Sequence, residues 1–455
     1  MVEHNFDVLV IGGGPGGYTA GIRSAQLGLK VGLAEREELG GVCLNWGCIP
    51  TKSLLHTADV LREARTANEL GLELGEPKFN LKKVIQRSRD VAAQLSSGVS
   101  HLMRKNNITV LKGDAKFESK NIIQVGESRV IADNIVIATG ASARNLPSIV
   151  VDGDRIWDAR TAMTPPFMPS KLLIIGAGAI GAEFASFYST MGSEVTLVEM
   201  MDQILPSEDA EIAGMAREAF EGSGIRVLTE MAVEAVAKGK SGLTVSIDGQ
   251  KEQYDAAILS VGVSGNVDGL GLDGLGVSID RGFVVVDASQ QTSVPGIYAI
   301  GDVAGTPCLA HKASHEGVIA AETIAGINPH GLNKTRIPGC TYSHPQVASI
   351  GITEAEAIKS FPVRVGRYPL IANGKAVAIN DTEGLIKTVF HATTGELLGA
   401  HMIGPGVTEM IQGYAVAMGL ETTEADLMNI IFPHPTLSES MHEAVLSAYD
   451  RAINF

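Results

Sequence analysis

The chain has 455 residues, 45% of them hydrophobic, and a formal net charge of −15 at pH 7. That length predicts about three domains at roughly 100–200 residues each, and the acidic balance argues against nucleic-acid binding because no basic excess is available to neutralise phosphates. With no apolar run long enough to span a membrane, a short polar start that does not form a signal peptide, and only four cysteines, we expect a cytoplasmic protein without structural disulfides.

The first predicted elements are a strand, a glycine-rich turn, a helix and a second strand. Residues 6–11 (FDVLVI) and 31–35 (VGLAE) are the apolar runs on either side of this turn. The G-x-G-x-x-G spacing is formed by Gly12, Gly14 and Gly17. In such a unit the glycines permit a tight turn, approach of the backbone to a pyrophosphate, and close packing of helix on strand. Glu35, at the end of the second strand, can accept hydrogen bonds from ribose hydroxyls.

The segment LGGVCLNWGCIPTK, residues 39–52, carries Cys43 and Cys48. Pro50 is typical of an early helical position, and a helical pattern follows, so Cys48 is expected near a helix N-terminus, where the dipole favours thiolate. The four intervening residues would allow the sulfurs to meet across one helical turn. A redox-active pair is one interpretation, and two reduced cysteines packed as small hydrophobes is the other. Packing is the expectation for the isolated Cys308 and Cys340.

A second unit repeats the first. The strand at residues 171–175 (KLLII) leads into a glycine turn, a helical stretch and a strand at residues 195–199. Each of its key residues lies 164 positions after its counterpart, namely Gly176, Gly178, Gly181 and Glu199. One such motif is weak evidence, but two in the same context predict two dinucleotide-binding domains. Glu199 favours NAD over NADP, since its carboxylate repels a 2′-phosphate and the next three residues include no arginine.

Other segments fit the same organisation. Apolar runs at residues 134–138 and 296–300 predict further strands, and proline-rich residues 164–169 predict a linker. A break at residues 335–339 opens a C-terminal region in which residues 384–391 (GLIKTVFH) suggest antiparallel strands.

Near the C-terminus, HPTLSE places His434 five residues before Glu439. A free thiol is only a few per cent thiolate at neutral pH, so a nearby base would accelerate its attack about 10²–10⁴-fold. The pair is therefore a candidate base and orienting carboxylate. Alternatively, T-x-x-E from Thr436 to Glu439 forms a capping box, His434 is a loop residue, and His442 is a rival partner.

Taken together, these motifs resemble the flavin-dependent pyridine nucleotide–disulfide oxidoreductase family over essentially the whole chain. The resemblance is carried by GGGPGGYTAG, GGVCLNWGCIPTK, VIATGA, IGAGAIGAEFA, YAIGDVAG, LAHKASHEG, ANGKA and HPTLSE. Within the family, CLNWGCIPTK is most similar to the branch that oxidises dihydrolipoamide. No cysteine follows Cys340, whereas mercuric reductases and large thioredoxin reductases carry a C-terminal cysteine pair.

The resemblance implies an α/β fold with two Rossmann-like dinucleotide-binding domains and a C-terminal α+β dimerisation domain. The implied boundaries are residues 1–145 for the FAD-binding domain, 146–266 for the NAD-binding domain, 267–335 for a segment completing the FAD domain, and 336–455 for the dimerisation domain. An obligate homodimer is implied, in which His434 comes from the opposite subunit. The implied partners are dihydrolipoamide on lipoyl domains and the E2 core of a 2-oxo acid dehydrogenase complex.

The resemblance also implies residue roles. Glu35 would hold the adenosine ribose of FAD and Asp302 its ribityl chain, while Lys52 would lie near the reactive flavin nitrogen and pair with Glu183. Cys48 would face the flavin and Cys43 would exchange with substrate, assisted by His434 and Glu439. The further implied cofactor contacts are Ala115, Thr139, Gly140, Ala310, Val233 and Gly262. No metal site is predicted.

The chain departs from the family pattern at a few positions. Val263 stands where the family often has arginine, Ser314 and His315 replace two acids, and Phe432 stands where a histidine commonly precedes the catalytic one. Two other functions remain open: an NADH-dependent reductase of another small disulfide, and a flavin-bound sensor whose disulfide reports the NADH/NAD ratio without turnover. A sensor has no need for an acid–base pair, which the HPTLSE motif supplies.

Overall fold

A computed structural model of the chain describes residues 2–455. The described chain divides into two compact units. The first comprises the residues up to Leu54, Lys78–Arg144 and Gly262–Leu332, and the second comprises Leu55–Pro77, Asn145–Val261 and Asn333–Phe455. Within residues 2–455, no helix combines the length and the apolar character that crossing a membrane would require. The predicted division into four segments stays a prediction.

The strands, in chain order, are β1 Val2–Ile11, β2 Val31–Glu35, β3 Thr109–Lys112, β4 Ala115–Ser119, β5 Ile122–Val125, β6 Ser128–Ile137, β7 Ala141–Ala143, β8 Ile156–Trp157, β9 Lys171–Ile175, β10 Glu194–Val198, β11 Arg226–Leu228, β12 Val233–Lys238, β13 Leu243–Ile247, β14 Gln250–Tyr254, β15 Ala256–Leu259, β16 Val263–Gly265, β17 Ile279–Asp280, β18 Phe283–Val284, β19 Ile297–Ala299, β20 Gly339–Thr341, β21 Val347–Gly351, β22 Val363–Pro369, β23 Leu385–His391 and β24 Leu397–Ile403.

The helices are α1 Pro15–Gln26, α2 Gly41–Trp46, α3 Cys48–Thr66, α4 Leu81–Lys105, α5 Ala159–Met163, α6 Ala179–Thr190, α7 Ala210–Gly222, α8 Ala310–Ile324, α9 Glu354–Ala357, α10 Gly374–Ala378, α11 Val407–Gly419, α12 Glu424–Asn429 and α13 Glu439–Ser447.

The main sheet of the first unit has the strand order β3-β2-β1-β6-β5-β4, and β19 also pairs with β6. The strands β3, β2, β1, β6 and β19 run parallel, and β5 and β4 complete the sheet as antiparallel strands. Parallel strands are covered on both faces and therefore read as continuous apolar runs. Val8, Leu9 and Val10 accordingly have no exposed surface. The strands predicted around residues 6–11, 31–35, 134–138 and 296–300 are confirmed as parts of this sheet.

The second unit contains a parallel sheet with the strand order β11-β10-β9-β15-β8. Its pairing repeats that of the first unit. Ile11 lies opposite Ala34, and Ile175 lies opposite Val198, so each residue of the second pair follows its counterpart in the first pair by 164 positions. The helices α1 and α6 occupy the same place after the glycine turn in the two units. The predicted pair of Rossmann-like units is therefore confirmed.

The C-terminal region forms an antiparallel sheet with the order β20-β21-β24-β23-β22. It confirms the antiparallel strand predicted near residues 384–391 as β23. The sheet packs with α11 and α13 around a core that includes Phe390, Tyr414 and Met441, each no more than 4% exposed. The predicted linker at residues 164–169 contains no helix or strand.

Candidate active site

The glycine turn of the first unit leaves space only where a ligand would need it. A Cβ atom on Gly12, which has φ +108°, would lie 2.2 Å from the carbonyl oxygen of Ala138, and one on Gly17 would lie 1.8 Å from that of Gly12. At Gly14 the nearest atom to such a Cβ would be 3.9 Å away, and no side chain caps α1. The turn therefore offers the free N-terminus of a helix to an anionic pyrophosphate.

The turn of the second unit has the same properties. A Cβ on Gly176 (φ +97°) would lie 2.5 Å from the Ser260 carbonyl oxygen, and one on Gly181 would lie 1.9 Å from the Gly176 oxygen. At Gly178 no atom lies within 4 Å of the Cβ position. This turn also fits a pyrophosphate at the start of an uncapped helix, α6.

A carboxylate closes each unit. The carboxylate of Glu35, the last residue of β2, accepts hydrogen bonds from the backbone N–H groups of Gly13 at 2.7 Å and Glu37 at 2.8 Å. Glu199 accepts from Ala177 at 2.7 Å and Met201 at 3.0 Å. The prediction that Glu199 ends the strand is wrong by one residue, because β10 ends at Val198. Both carboxylates are fixed beside their glycine turns, where a ribose would bind.

Asp302 lies in the 3-10 turn Gly301–Ala304, and burial raises the pKa of its carboxyl while Lys312 opposes that change. The turn is held by a buried ion pair from α8 that the sequence did not identify. Glu316 accepts from the Gly301 N–H at 2.7 Å, and the Lys312 ammonium donates to the Gly305 carbonyl at 2.9 Å. The motif LAHKASHEG contains both residues, so it was a signal for this support. A buried carboxylate in such a turn is suited to accepting hydroxyl hydrogen bonds from a ribityl chain.

Thr139 and Gly140 follow β6 in a turn that Asn266 holds. The Thr139 hydroxyl donates to the Asn266 carbonyl at 2.8 Å, and the Asn266 amide donates to the Thr139 carbonyl at 2.9 Å. Asn266 ends the segment VGVSGN, residues 261–266, which also contains Val263, where the family often has arginine.

The other implied cofactor residues occupy the beginnings of elements or turns. Ala115 begins β4, Val233 begins β12, Ala310 begins α8, and the Gly262 carbonyl accepts from the Arg144 N–H at 2.9 Å. Lys52 lies in α3, in the first unit. Glu183 is buried in α6, in the second unit, where it accepts from the Tyr342 N–H at 3.0 Å. Their implied pairing stays a prediction.

The two cysteines lie on consecutive helices. Cys43 is in α2, and Cys48 is the first residue of α3, which confirms the expected helix N-terminus. The expected single helical turn between them is wrong, because the helix breaks at Gly47, which has φ −152° and ψ −116°. Both side chains are half-buried thiols, and they are joined by a hydrogen bond. The sulfurs are therefore close enough to exchange between dithiol and disulfide.

The environment keeps a proton on Cys43. The hydrogen bond with the Cys48 side chain and burial both raise the pKa of the Cys43 thiol, and the Lys52 charge only partly opposes them. Because the thiolate is the nucleophile in exchange reactions, a thiol with a raised pKa gains more from a base than an ordinary one.

His434 and Glu439 are in contact. The His434 Nδ1 atom lies 2.9 Å from one Glu439 carboxylate oxygen, and the other oxygen accepts from the Thr436 N–H at 2.9 Å. Burial raises the pKa of Glu439, but these two hydrogen bonds outweigh it and lower the value, so the group is a carboxylate at neutral pH. A carboxylate at Nδ1 fixes the proton there and leaves Nε2 free to act as a base. The imidazole is 78% exposed in the single chain.

Only part of the capping-box interpretation of Glu439 holds. The predicted N-cap, Thr436, is wrong, because α13 begins at Glu439 with Ser438 as its N-cap residue. Even so, Glu439 holds the Thr436 backbone while it contacts His434. His442 is no rival, since its Nε2 atom lies 3.0 Å from the Met428 carbonyl oxygen and its ring packs on that of Phe432 at 5.4 Å.

The remaining cysteines do not join this site. Cys340 packs against the C-terminal core and its thiol donates to the Thr408 carbonyl at 3.8 Å. Burial raises the pKa of Cys308 to about 11, so it is protonated at neutral pH. Within residues 2–455, no group of three or more His, Cys, Asp or Glu side chains is arranged to hold a metal ion.

These features define a disulfide oxidoreductase with two dinucleotide sites, and comparison with known proteins assigns the family. Residues 6–317 match the pyridine nucleotide-disulphide oxidoreductase family, and residues 337–445 match its dimerisation domain. The chain belongs to this family. Enzymes of the family bind FAD and use NAD(H), and the dimerisation domain indicates a homodimer.

Individual relatives are more specific. The chain is 54% identical to a dihydrolipoyl dehydrogenase of Zymomonas mobilis, and the alignment covers 100% of both chains. It superposes on LpdA from Mycobacterium tuberculosis with a TM-score of 0.91 at 28% identity, covering 98% of this chain and 99% of that one. The HOCl-induced flavoprotein disulfide reductase RclA from Escherichia coli gives a TM-score of 0.88 at 27% identity, covering 96% and 99%.

Proposed function

We propose that the protein oxidises dihydrolipoamide to lipoamide and reduces NAD to NADH. The proposal rests on the contact between Cys43 and Cys48 in a chain that is 54% identical over its full length to a dihydrolipoyl dehydrogenase. Glu199 supports NAD over NADP, since a fixed carboxylate at this position repels a 2′-phosphate. FAD, when bound, supplies a two-electron carrier between the cysteine pair and the nicotinamide.

In the proposed reaction, His434 Nε2 takes a proton from one thiol of dihydrolipoamide. The resulting thiolate attacks the Cys43–Cys48 disulfide at Cys43, so the bond between the cysteines breaks and Cys48 leaves as a thiolate. The second substrate thiol then attacks the substrate sulfur of the mixed disulfide, which forms the ring disulfide of lipoamide and releases Cys43; the departing Cys43 takes up the proton that His434 holds, and His434 takes the proton of the attacking thiol. Two electrons have reached the cysteine pair at this point, and NAD is their final acceptor. Glu439 fixes the His434 tautomer through both proton transfers.

In the proposed homodimer, His434 acts on the cysteine pair of the partner subunit. This assignment agrees with the high exposure of the His434 ring in a single chain. We also propose a cytoplasmic location, where reduced glutathione and thioredoxin keep other thiols reduced, and association with the E2 core of a 2-oxo acid dehydrogenase complex. For the association, sedimentation of the purified protein with a lipoyl-bearing E2 core would be the direct measurement.

The first experiment is to mix the purified flavoprotein anaerobically with dihydrolipoamide and NAD and to follow NADH formation. The expected result is sustained turnover in the wild type and none in Cys48→Ser with FAD still bound. Full activity in Cys48→Ser would remove the disulfide from the mechanism. If the wild type does not turn over but NADH reduces its disulfide, the protein is a reductase of another small disulfide. The likeness to RclA, itself a disulfide reductase, makes this the second candidate function.

A further inference from the structure

Arg89, on α4, contacts the helix that carries Cys43. Its Nη1 atom donates a hydrogen bond to the Asn45 carbonyl at 2.5 Å. Its guanidinium carbon lies 3.8 Å from the centroid of the Trp46 ring. Asn45 and Trp46 are the last two residues of α2. Arg89 therefore both satisfies a C-terminal carbonyl of this short helix and stacks on its final side chain.

The two residues before Arg89 contact the helix that carries Cys48. The Ser88 hydroxyl donates to the Pro50 carbonyl at 3.1 Å, and Arg87 donates to the Ser53 hydroxyl at 2.6 Å. Pro50 and Ser53 lie in the first two turns of α3. Three consecutive residues of α4 thus hold both sides of the break at Gly47, with one thiol on each side.

This support matters because α2 cannot stabilise itself. It has only six residues, and isolated helices of that length are unstable in water. A further anchor is the buried Asn45 side chain, whose amide donates to the Leu39 carbonyl, outside the helix, at 3.1 Å and to the Gly41 carbonyl, within it, at 3.0 Å. Only a planar guanidinium can stack on an indole ring and donate to a carbonyl at the same time, so lysine at position 89 would keep the charge but lose the geometry.

We propose that Arg89 is a positioning residue for the redox pair. By fixing the end of α2 on α4, it holds Cys43 at the distance from Cys48 that disulfide exchange requires. Misplacing a reacting group by about 1 Å can cost about 10²-fold in rate. The inference rests on the proposed function for its substrate, but the formation of the two thiols can be followed with NADH alone.

The test compares Arg89→Met, Arg89→Lys and Trp46→Leu with Lys82→Met. Lys82 is exposed on the same helix, so its replacement removes an equal charge away from the redox segment. Each holoenzyme is reduced anaerobically with NADH, which supplies two electrons and, with one proton from solvent, converts the disulfide to two thiols. The rate of appearance of two titratable thiols is measured. NADH–ferricyanide activity, which needs no disulfide, and FAD content are measured in parallel.

In Arg89→Met we expect thiol formation and dihydrolipoamide–NAD turnover to slow about 10-fold or more, with ferricyanide activity and FAD content like those of Lys82→Met. The rates of thiol formation and turnover in Arg89→Lys and Trp46→Leu should lie between those of Arg89→Met and Lys82→Met. The proposal is overturned if Arg89→Met forms thiols as fast as Lys82→Met, or if ferricyanide activity falls in parallel. Should Arg89→Met not yield holoenzyme, Arg89→Lys and Trp46→Leu decide by the same comparison. If the wild type forms thiols with NADH but does not oxidise dihydrolipoamide, the proposed substrate is contradicted, and the proposal for Arg89 is not.

Discussion

Glu35 and Glu199, 164 residues apart, hold their glycine turns with the same pair of hydrogen bonds. Each carboxylate accepts from the backbone N–H one residue after the first glycine and from the N–H two residues beyond itself, at 2.7 and 2.8 Å for Glu35 and at 2.7 and 3.0 Å for Glu199. The repeat therefore extends from strands and helices to single side-chain contacts. The same substitution at Glu35 or at Glu199 should therefore affect the binding of one cofactor only, FAD in the first unit and NAD in the second.

The first prediction separates the two dinucleotides. In Glu199→Gln the charge that repels a 2′-phosphate is lost, so the preference for NAD over NADP, measured as the ratio of kcat/KM values, should fall about 10-fold or more. FAD should stay bound. In the matched variant Glu35→Gln, FAD should dissociate more readily on dialysis, while the preference for NAD in the remaining holoenzyme stays as in the wild type. An exchange of these two phenotypes would reverse the assignment of the units.

The second prediction concerns the glycines of the second unit. Gly181→Ala would place a Cβ 1.9 Å from the Gly176 carbonyl oxygen, so α6 must move away from the strand and the protein should unfold at a markedly lower temperature. Gly178→Ala meets no atom within 4 Å, and its φ of −69° suits alanine. It should therefore melt like the wild type but raise the KM for NAD, because the methyl group occupies the space for the pyrophosphate. Equal melting temperatures for the two variants would contradict this account.

Much of the fold followed from the sequence because its signals are local. A buried parallel strand needs a continuous apolar run, and the turn after it needs glycines at set positions, so β2 and β9 were predicted at their observed bounds. The strand ends do not always coincide with the apolar runs: β1 begins at Val2, whereas the apolar run begins at residue 6. Backbone pairing with β6 extends β1 through polar residues that hydropathy does not mark.

The sequence predicts the reacting groups of the candidate site but not all of the side chains that support them. Cysteine and histidine are chemically distinctive, so Cys43, Cys48 and His434 could be selected from the sequence. Arg89 could not, because its role depends on contacts with a carbonyl group and a ring that no periodicity reveals. The LAHKASHEG motif marks the position of Lys312, but not its contact with the Gly305 carbonyl. The break at Gly47 was missed for a similar reason, since a glycine inside a helical pattern also fits a continuous helix.

The third prediction tests the acid–base pair. His434→Gln should lower kcat for dihydrolipoamide oxidation about 10²–10⁴-fold, because the Cys43–Cys48 pair then exchanges without a base. Glu439→Gln, which keeps an acceptor for the Thr436 N–H but not the charge, should have the smaller effect, about 10-fold. NADH–ferricyanide activity should be unchanged in both. A His434→Gln enzyme with normal dithiol turnover would assign the base to another group.

The last prediction concerns a buried charge cluster in the second unit. Lys387, with a side chain only 3% exposed, lies 2.7 Å from Asp209, 2.9 Å from Glu211 and 2.8 Å from Glu354. Arg367 contacts two of these carboxylates from the surface, with 41% of its side chain exposed. Burial raises the pKa values of Asp209 and Glu211, but their bonds to Lys387, and for Glu211 to Arg367, outweigh it and lower both. Both groups are therefore ionised at neutral pH.

Lys387→Met should destabilise the protein by about 3 kcal/mol at pH 7, because it leaves Asp209 buried and charged without its partner. Arg367→Met, at the exposed edge, should cost about 1 kcal/mol or less. A group whose pKa is lower in the folded protein than in the unfolded chain stabilises the fold at any pH above its unfolded-state pKa. That contribution is lost as the pH falls through its folded-state pKa. The difference in the free energy of unfolding between the wild type and Lys387→Met, measured with denaturant, should therefore become smaller from pH 7 to pH 3, as the carboxylates become protonated. A gap that is the same at both pH values would mean that Lys387 acts through packing of its methylene chain and not through its charge.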